Sequence, residues 1–168
     1  MRNFLLSFSI CSLLIACGPI SITDSSTKSL TKNSSQFSGK YVVKTMVVEF
    51  NGRTAIGTVS KGECSAIVGD ADESGWRETE ADCNCELTIK TEDGIRSTPV
   101  LGLSKGKLKI SNSGEAVDVT GIFSTVKEED GVKFLNSSLM FTSKKYVSRT
   151  TFSKDGQTGS ITIESVLQ

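Results

Sequence analysis

The chain has 168 residues, 19 Lys and Arg against 19 Asp and Glu, and no histidine. A formal net charge of zero leaves no basic surplus to neutralise phosphates, which argues against nucleic acid as a partner. The lack of histidine removes the Ser-His-Asp and Cys-His arrangements and histidine metal ligands.

Arg2 opens a positive n-region, and an apolar stretch follows from Phe4 to Ile15. At about twelve residues it falls short of the ~20 needed to span a bilayer as a helix, and the pattern is that of a secretory signal. Gly18 and Pro19 end any helix. Leu14-Ile15-Ala16-Cys17 resembles the bacterial lipobox. The resemblance implies diacylglyceryl transfer to the Cys17 thiol, cleavage after Ala16 and acylation of the new amino terminus. A single acyl chain gives only marginal membrane binding, so several make the anchor stable. Gly18, rather than an aspartate, follows the cysteine. By resemblance to Gram-negative sorting, that points to the outer membrane of the cell envelope. The expected organisation is a signal peptide over 1–16, the lipidated cysteine with a tether over 17–36, and one β domain over 37–168.

The tether reads GPISITDSSTKSLTKNSSQ after Cys17 and has few large apolar residues to bury. Asn33-Ser34-Ser35 and, later, Asn136-Ser137-Ser138 match the N-glycosylation pattern and are read as chance matches in a bacterial chain.

From Phe37 onward Pro99 is the only proline, and short runs alternate apolar and polar residues. YVVKTMVVEF (41–50) ends at Asn51-Gly52, a hairpin signal, because both central residues of a type I′ turn need positive φ. RTAIGTVS (53–60) returns, Lys61-Gly62 turns and ECSAIVG (63–69) follows. After an acidic connection come CELTIKT (85–91), STPVLGL (97–103), KLKIS (107–111), AVDVTGIFSTV (116–126), VKFLNSSLMFT (132–142), KYVSRTTF (145–152) and GSITIESV (159–166). Eight or nine strands joined by short links must be antiparallel neighbours. Closure of such a meander removes exposed edges, so the expectation is an all-β, up-and-down antiparallel barrel, with a two-sheet sandwich as the alternative.

Phe37-Ser38-Gly39-Lys40-Tyr41 resembles the opening of lipocalin-type domains, in which G-x-W starts strand one. Tyr41 stands where the family has tryptophan. No counterpart of the family's threonine-aspartate-tyrosine motif is present, and Arg149 is the candidate for its late arginine. The resemblance implies an aromatic ring closing the barrel base and a cavity for a small apolar ligand.

Gly102-Leu103-Ser104-Lys105-Gly106 matches G-x-S-x-G, but the strand-to-helix turn and histidine of a nucleophile elbow are missing. It is read as a β-turn. Asp70-x-Asp72-x-Ser74-Gly75 matches the first half of a calcium loop, then fails at position 12, which is Ala81. Asp70, Asp72 and Ser74 are thus the nearest approach to a metal site, and none is expected. Trp76, the single tryptophan, reads equally as a core cap or an exposed anchor. Cys64, Cys83 and Cys85 are the thiols left to the fold once Cys11 is discarded and Cys17 lipidated. Export implies an oxidising compartment, and a bridge from Cys64 to Cys83 is favoured over one to Cys85. Lys144, Lys145, Arg149 and Lys154 read as a solvated face.

The function expected is a non-catalytic binding module with no cofactor. It meets the bilayer through Cys17 and takes a small apolar ligand or an envelope protein. The alternatives are an interaction or inhibitor protein with a filled core, and an enzyme built on the carboxylates of 70–86.

Overall fold

A computed structural model describes residues 35–121 and 131–168. The expected signal, Cys17, Asn33 and the tether as far as residue 34 lie outside these residues, as do 122–126 of the strand expected over 116–126 and 127–130 of the break expected at 127–131. All regular structure among the described residues is β: β1 (Gly39–Phe50), β2 (Arg53–Val68), β3 (Trp76–Thr91), β4 (Gly94–Ile110), β5 (Ala116–Gly121), β6 (Val132–Phe141), β7 (Lys145–Lys154) and β8 (Gln157–Leu167).

These eight strands form one antiparallel sheet in the order β5-β4-β3-β2-β1-β8-β7-β6. Chain neighbours pair except β5 and β6, and β1 also pairs β8, from Tyr41↔Leu167 to Phe50↔Gly159. The sheet thereby curls into a nearly closed barrel, and one continuous sheet replaces the two of a sandwich. Its seam falls between β5 and β6, where the bridge Glu115↔Met140 and the bond from Phe141 N to Gly114 O (2.7 Å) tie the ends together.

Asn51 and Gly52 have φ of 51° and 71°, as the hairpin requires. Two expected turns are instead strand interior. Lys61-Gly62 is a bulge within β2, where the β2–β3 register shifts between Val59 and Lys61. Gly62 has φ 75°, and a Cβ there would overlap the Asn84 carbonyl oxygen, so glycine serves the bulge rather than a reversal. Ser104-Lys105-Gly106 lies inside β4, paired along its length from Trp76↔Lys109 to Thr91↔Gly94. Ser104 is buried and Lys105 exposed, which is the alternation of a strand and not a turn. The acidic connection is also shorter than expected, since β3 begins at Trp76.

Up-and-down order sorts the links to two ends. The turns at 51–52, 92–93 and 155–156 surround one end, called the mouth. The links 69–75, 111–115 and 142–144 and the segment before β1 surround the other, the base.

Gly114 has φ 90°, and a side chain there would run into the Phe141 carbonyl. Gly114→Ala should therefore cost about 2–4 kcal/mol, combining left-handed backbone strain with loss of the seam bond. Urea unfolding reads this directly; a loss below about 0.5 kcal/mol, the scale of an ordinary surface change, would mean the seam bond contributes nothing.

Candidate functional site

The barrel interior is organised in three layers. At the base, Tyr41 is fully buried and its hydroxyl donates to Phe37 O at 2.8 Å. Its ring stands edge-on to Phe141 and Tyr146, with centroids 5.7 and 5.4 Å away. Arg77, inward-facing from β3, is also fully buried. Its Nη1 donates to Ser38 Oγ at 2.9 Å and Gly69 O at 3.1 Å, and Ser38 Oγ donates to the same carbonyl. Burial works against the guanidinium charge, while Asp70 and Tyr41 favour it. Burial raises the Tyr41 phenol, and Arg77 opposes that rise. A ring closing the base is thus observed, but the arginine beside it is Arg77. The candidate from sequence, Arg149, is exposed on the outer face of β7.

The mouth half is apolar. Val43, Met46, Leu87, Ile89, Val100, Ile161 and Ile163 line it, and Phe152 is stacked on Phe50 at 5.5 Å and tilted against Phe134 at 6.5 Å. Cys64, Cys83 and Cys85 complete this layer. All three are buried without an S–S bond between them in this structure, and both expected partners of Cys64 lie within reach of it. Register does place Cys64 opposite Cys83, but its sulfur is shared with a second neighbour, Cys85 Sγ, at 2.7 Å.

Between the two apolar clusters lies a layer of hydroxyls. Ser137 Oγ and Thr150 Oγ1 bond each other at 2.8 Å. Thr79 Oγ1, Ser104 Oγ and Ser165 Oγ are buried with no hydrogen-bond partner among the described residues. Each such group carries a desolvation cost of about 1–3 kcal/mol.

The thiols set a pH dependence. Hydrogen bonding to Cys83, then burial, pushes the Cys64 thiol far up, and burial pushes Cys85 up. A thiol with a raised folded pKa contributes stability that is full below the unfolded value, near 8.5, and is lost as pH rises above it. Under reducing conditions the unfolding free energy, and with it the urea midpoint, should therefore fall between pH 8 and 10, by at most about 1.4 kcal/mol per pH unit for each of these two thiols. Cys64→Ala should flatten that slope; a wild-type midpoint unchanged over the range would contradict the assignment.

The acidic segment forms a hydrogen-bonded turn. Asp72 Oδ1 accepts from Ser74 N, Ser74 Oγ and Trp76 N, at 2.7–2.9 Å, which closes a turn. The Ser74 hydroxyl, and then the Trp76 amide, holds the Asp72 carboxyl below its usual value. Ser74 thus spends its hydroxyl on Asp72, Asp70 lies near Arg77, and no group of three acids or thiols among the described residues is arranged to hold a metal. Glu78, Glu80, Asp82 and Glu86 alternate with buried residues along β3 and face outward. Lys107 pairs with Glu78 at 3.2 Å and Lys105 with Glu80 at 2.8 Å. Trp76 is half-buried at the start of β3, with Lys109 Nζ 4.7 Å above its ring.

Of the late basic residues, Lys145 and Arg149 share the outward face of β7. Lys144 sits at a base turn, Lys145 pairs with Glu164 at 3.1 Å, and Lys154 ends β7 at the mouth. On the outer wall, a groove of about 540 Å³ runs across β2 to β5, lined by Ile67, Glu78, Glu80, Lys105, Lys107 and Thr120. Exposed Leu101 and Leu103 lie on the same face of β4. Arg77 and the inner hydroxyls are the features sequence reasoning missed. A lone arginine alternating with acids was the available signal.

No family model matches the chain, and no curated protein is significantly similar to it. Among solved structures, it is similar to a lipocalin whose expression is activated on cell transformation by the myc oncogene. That similarity has 14% identity, covers 81% of this chain and 73% of that one, and has a TM-score of 0.34.

Proposed function

We propose that the chain is a lipid-anchored, non-catalytic binding module of the bacterial envelope, and that the mouth half of its barrel takes a small apolar ligand. The observation that carries the ligand is the lining of that half. Hydrocarbon and aromatic side chains reach it from both sides of the ring, and its polar groups among the described residues are thiols and hydroxyls. Apolar enclosure with few polar groups is what small-molecule sites share. The non-catalytic reading draws on the missing histidine and on the β3 carboxylates, which face outward, Glu78 and Glu80 being tied to lysines. The anchor rests on Leu14-Ile15-Ala16-Cys17, and the outer membrane on Gly18.

Titration of the full chain with an uncharged apolar fluorophore tests the ligand. Saturable emission, competed by a medium-chain alkyl compound, is expected; a linear, uncompeted response would refute it. For the anchor, Cys17→Ala should move the protein from the detergent phase to the aqueous phase, and unchanged partition would remove it.

A second reading is favoured by the outer wall. Ile67, Leu101 and Leu103, at 53–68% exposure beside the lysine–glutamate pairs, form a mixed apolar and charged surface suited to an envelope protein. Under that reading the barrel is a filled scaffold, and Leu101→Lys with Leu103→Lys would abolish association while leaving fluorophore binding absent.

A further inference from the structure

Thr79, Ser104 and Ser165 present hydroxyls that are at least nine-tenths buried, at 5, 7 and 0% residue exposure, and have no partner among the described residues. They are not scattered. Thr79 and Ser104 are diagonal neighbours on β3 and β4, since Thr79 pairs Gly106 and Ala81 pairs Ser104. Ser165 is on β8, four strands from β4 in the eight-strand order, and so on the opposite wall. Along its own strand each falls between the two ends of the barrel: Thr79 between Arg77 and Cys83, Ser104 between Leu108 and Val100, and Ser165 between Leu167 and Ile163. A packed core would place methyl groups here. Buried hydroxyls without partners are rare in native proteins and need a reason.

We infer that this layer receives the head of an amphiphilic ligand, an uncharged group that both donates and accepts hydrogen bonds, such as an alcohol or primary amide. The inference rests on the ligand reading above and names the chemistry of its polar end. A hydroxyl can donate and accept, so three on facing walls match a head that does both. A carboxylate head fits less well. It only accepts, and its charge must be desolvated. The buried cation nearest in sequence, Arg77, already donates to Ser38 and Gly69. The alkyl part then lies along the mouth cluster, towards Phe50, Phe134 and Phe152.

The test is calorimetric titration of the full chain with 1-decanol, 1-chlorodecane and decanoate at pH 8. 1-Decanol should bind about tenfold more tightly than 1-chlorodecane, the scale of one or two well-formed hydrogen bonds. Thr79→Val, Ser104→Ala and Ser165→Ala together should abolish that preference and leave 1-chlorodecane affinity in place. If the triple variant does not fold, Ser104→Ala alone should reduce the preference and Ser104→Thr retain it. Equal affinity for decanol and chlorodecane, decanoate the tightest of the three, or a preference that survives the variants would overturn the head site while leaving the ligand reading intact. If none of the three compounds binds, the ligand reading fails as well.

Discussion

Arg77→Ala should lower the unfolding free energy by about 3–5 kcal/mol, the range for losing a large, fully buried, hydrogen-bonded side chain. Arg77 does two jobs at the base. Its hydrocarbon stem fills space beside Tyr41, and its guanidinium joins Ser38, before β1, to Gly69, after β2. Truncation would leave Gly69 O with the Ser38 hydroxyl alone and open a cavity under the Tyr41 ring. Arg77→Lys should recover part of the loss, because the stem still packs while a single ammonium replaces the planar fork. Urea unfolding gives the magnitude, and amide exchange at Ser38 to Tyr41 gives the location. Loss of stability with protection at those amides unchanged would show that Arg77 acts by volume alone.

Phe152→Ala should cost a similar amount, about 3–5 kcal/mol, at the other end of the barrel. Phe152 is buried between Phe50 and Phe134, and its ring lies over Gly159, its cross-strand partner on β8. A Cβ at Gly159 would meet that ring, and also the Phe50 ring and the Glu49 carbonyl oxygen, so Gly159→Ala should be destabilising in wild type and less so, though still destabilising, once Phe152 is alanine. A double-mutant cycle measures the coupling. Additive losses would mean that ring and glycine do not share the space.

How far the sequence exposed this fold depends on what each strand turns inward. β1 was legible because Tyr41, Val43, Met46 and Val48 are apolar and its hairpin carries Asn51-Gly52. The first half of β3 was hidden for the opposite reason. Its inward residues are Arg77, Thr79 and Ala81, so the period of two is present but not written in hydrophobicity. β4 was broken in two because Gly102 and Gly106 resemble turn residues, whereas both occupy strand positions on the inward-facing side. The three thiols could be brought together from strand pairing, and Cys64 does face Cys83. The second contact, to Cys85, runs diagonally, and strand pairing alone does not rank it. The inner hydroxyls were not legible at all. Serine and threonine are abundant on every face of this chain, and only the packed barrel distinguishes the few that are enclosed.

The pairing of β1 with β8 has a consequence for the order of folding. β1 through β4 associate by local hairpins, each closing a short loop, but the ring needs Tyr41 to find Leu167 across nearly the whole domain. Contacts that distant are slow to form, because loop entropy is lost before the pairing compensates for it. Until the last strand arrives, β1 and β7 each present a bare edge able to template another chain. A chain cut short within β8 would therefore not yield a slightly smaller barrel. It would yield an unclosed sheet prone to self-association, and detection of soluble monomer from such a truncation would argue that the ring is held chiefly by β1 to β4.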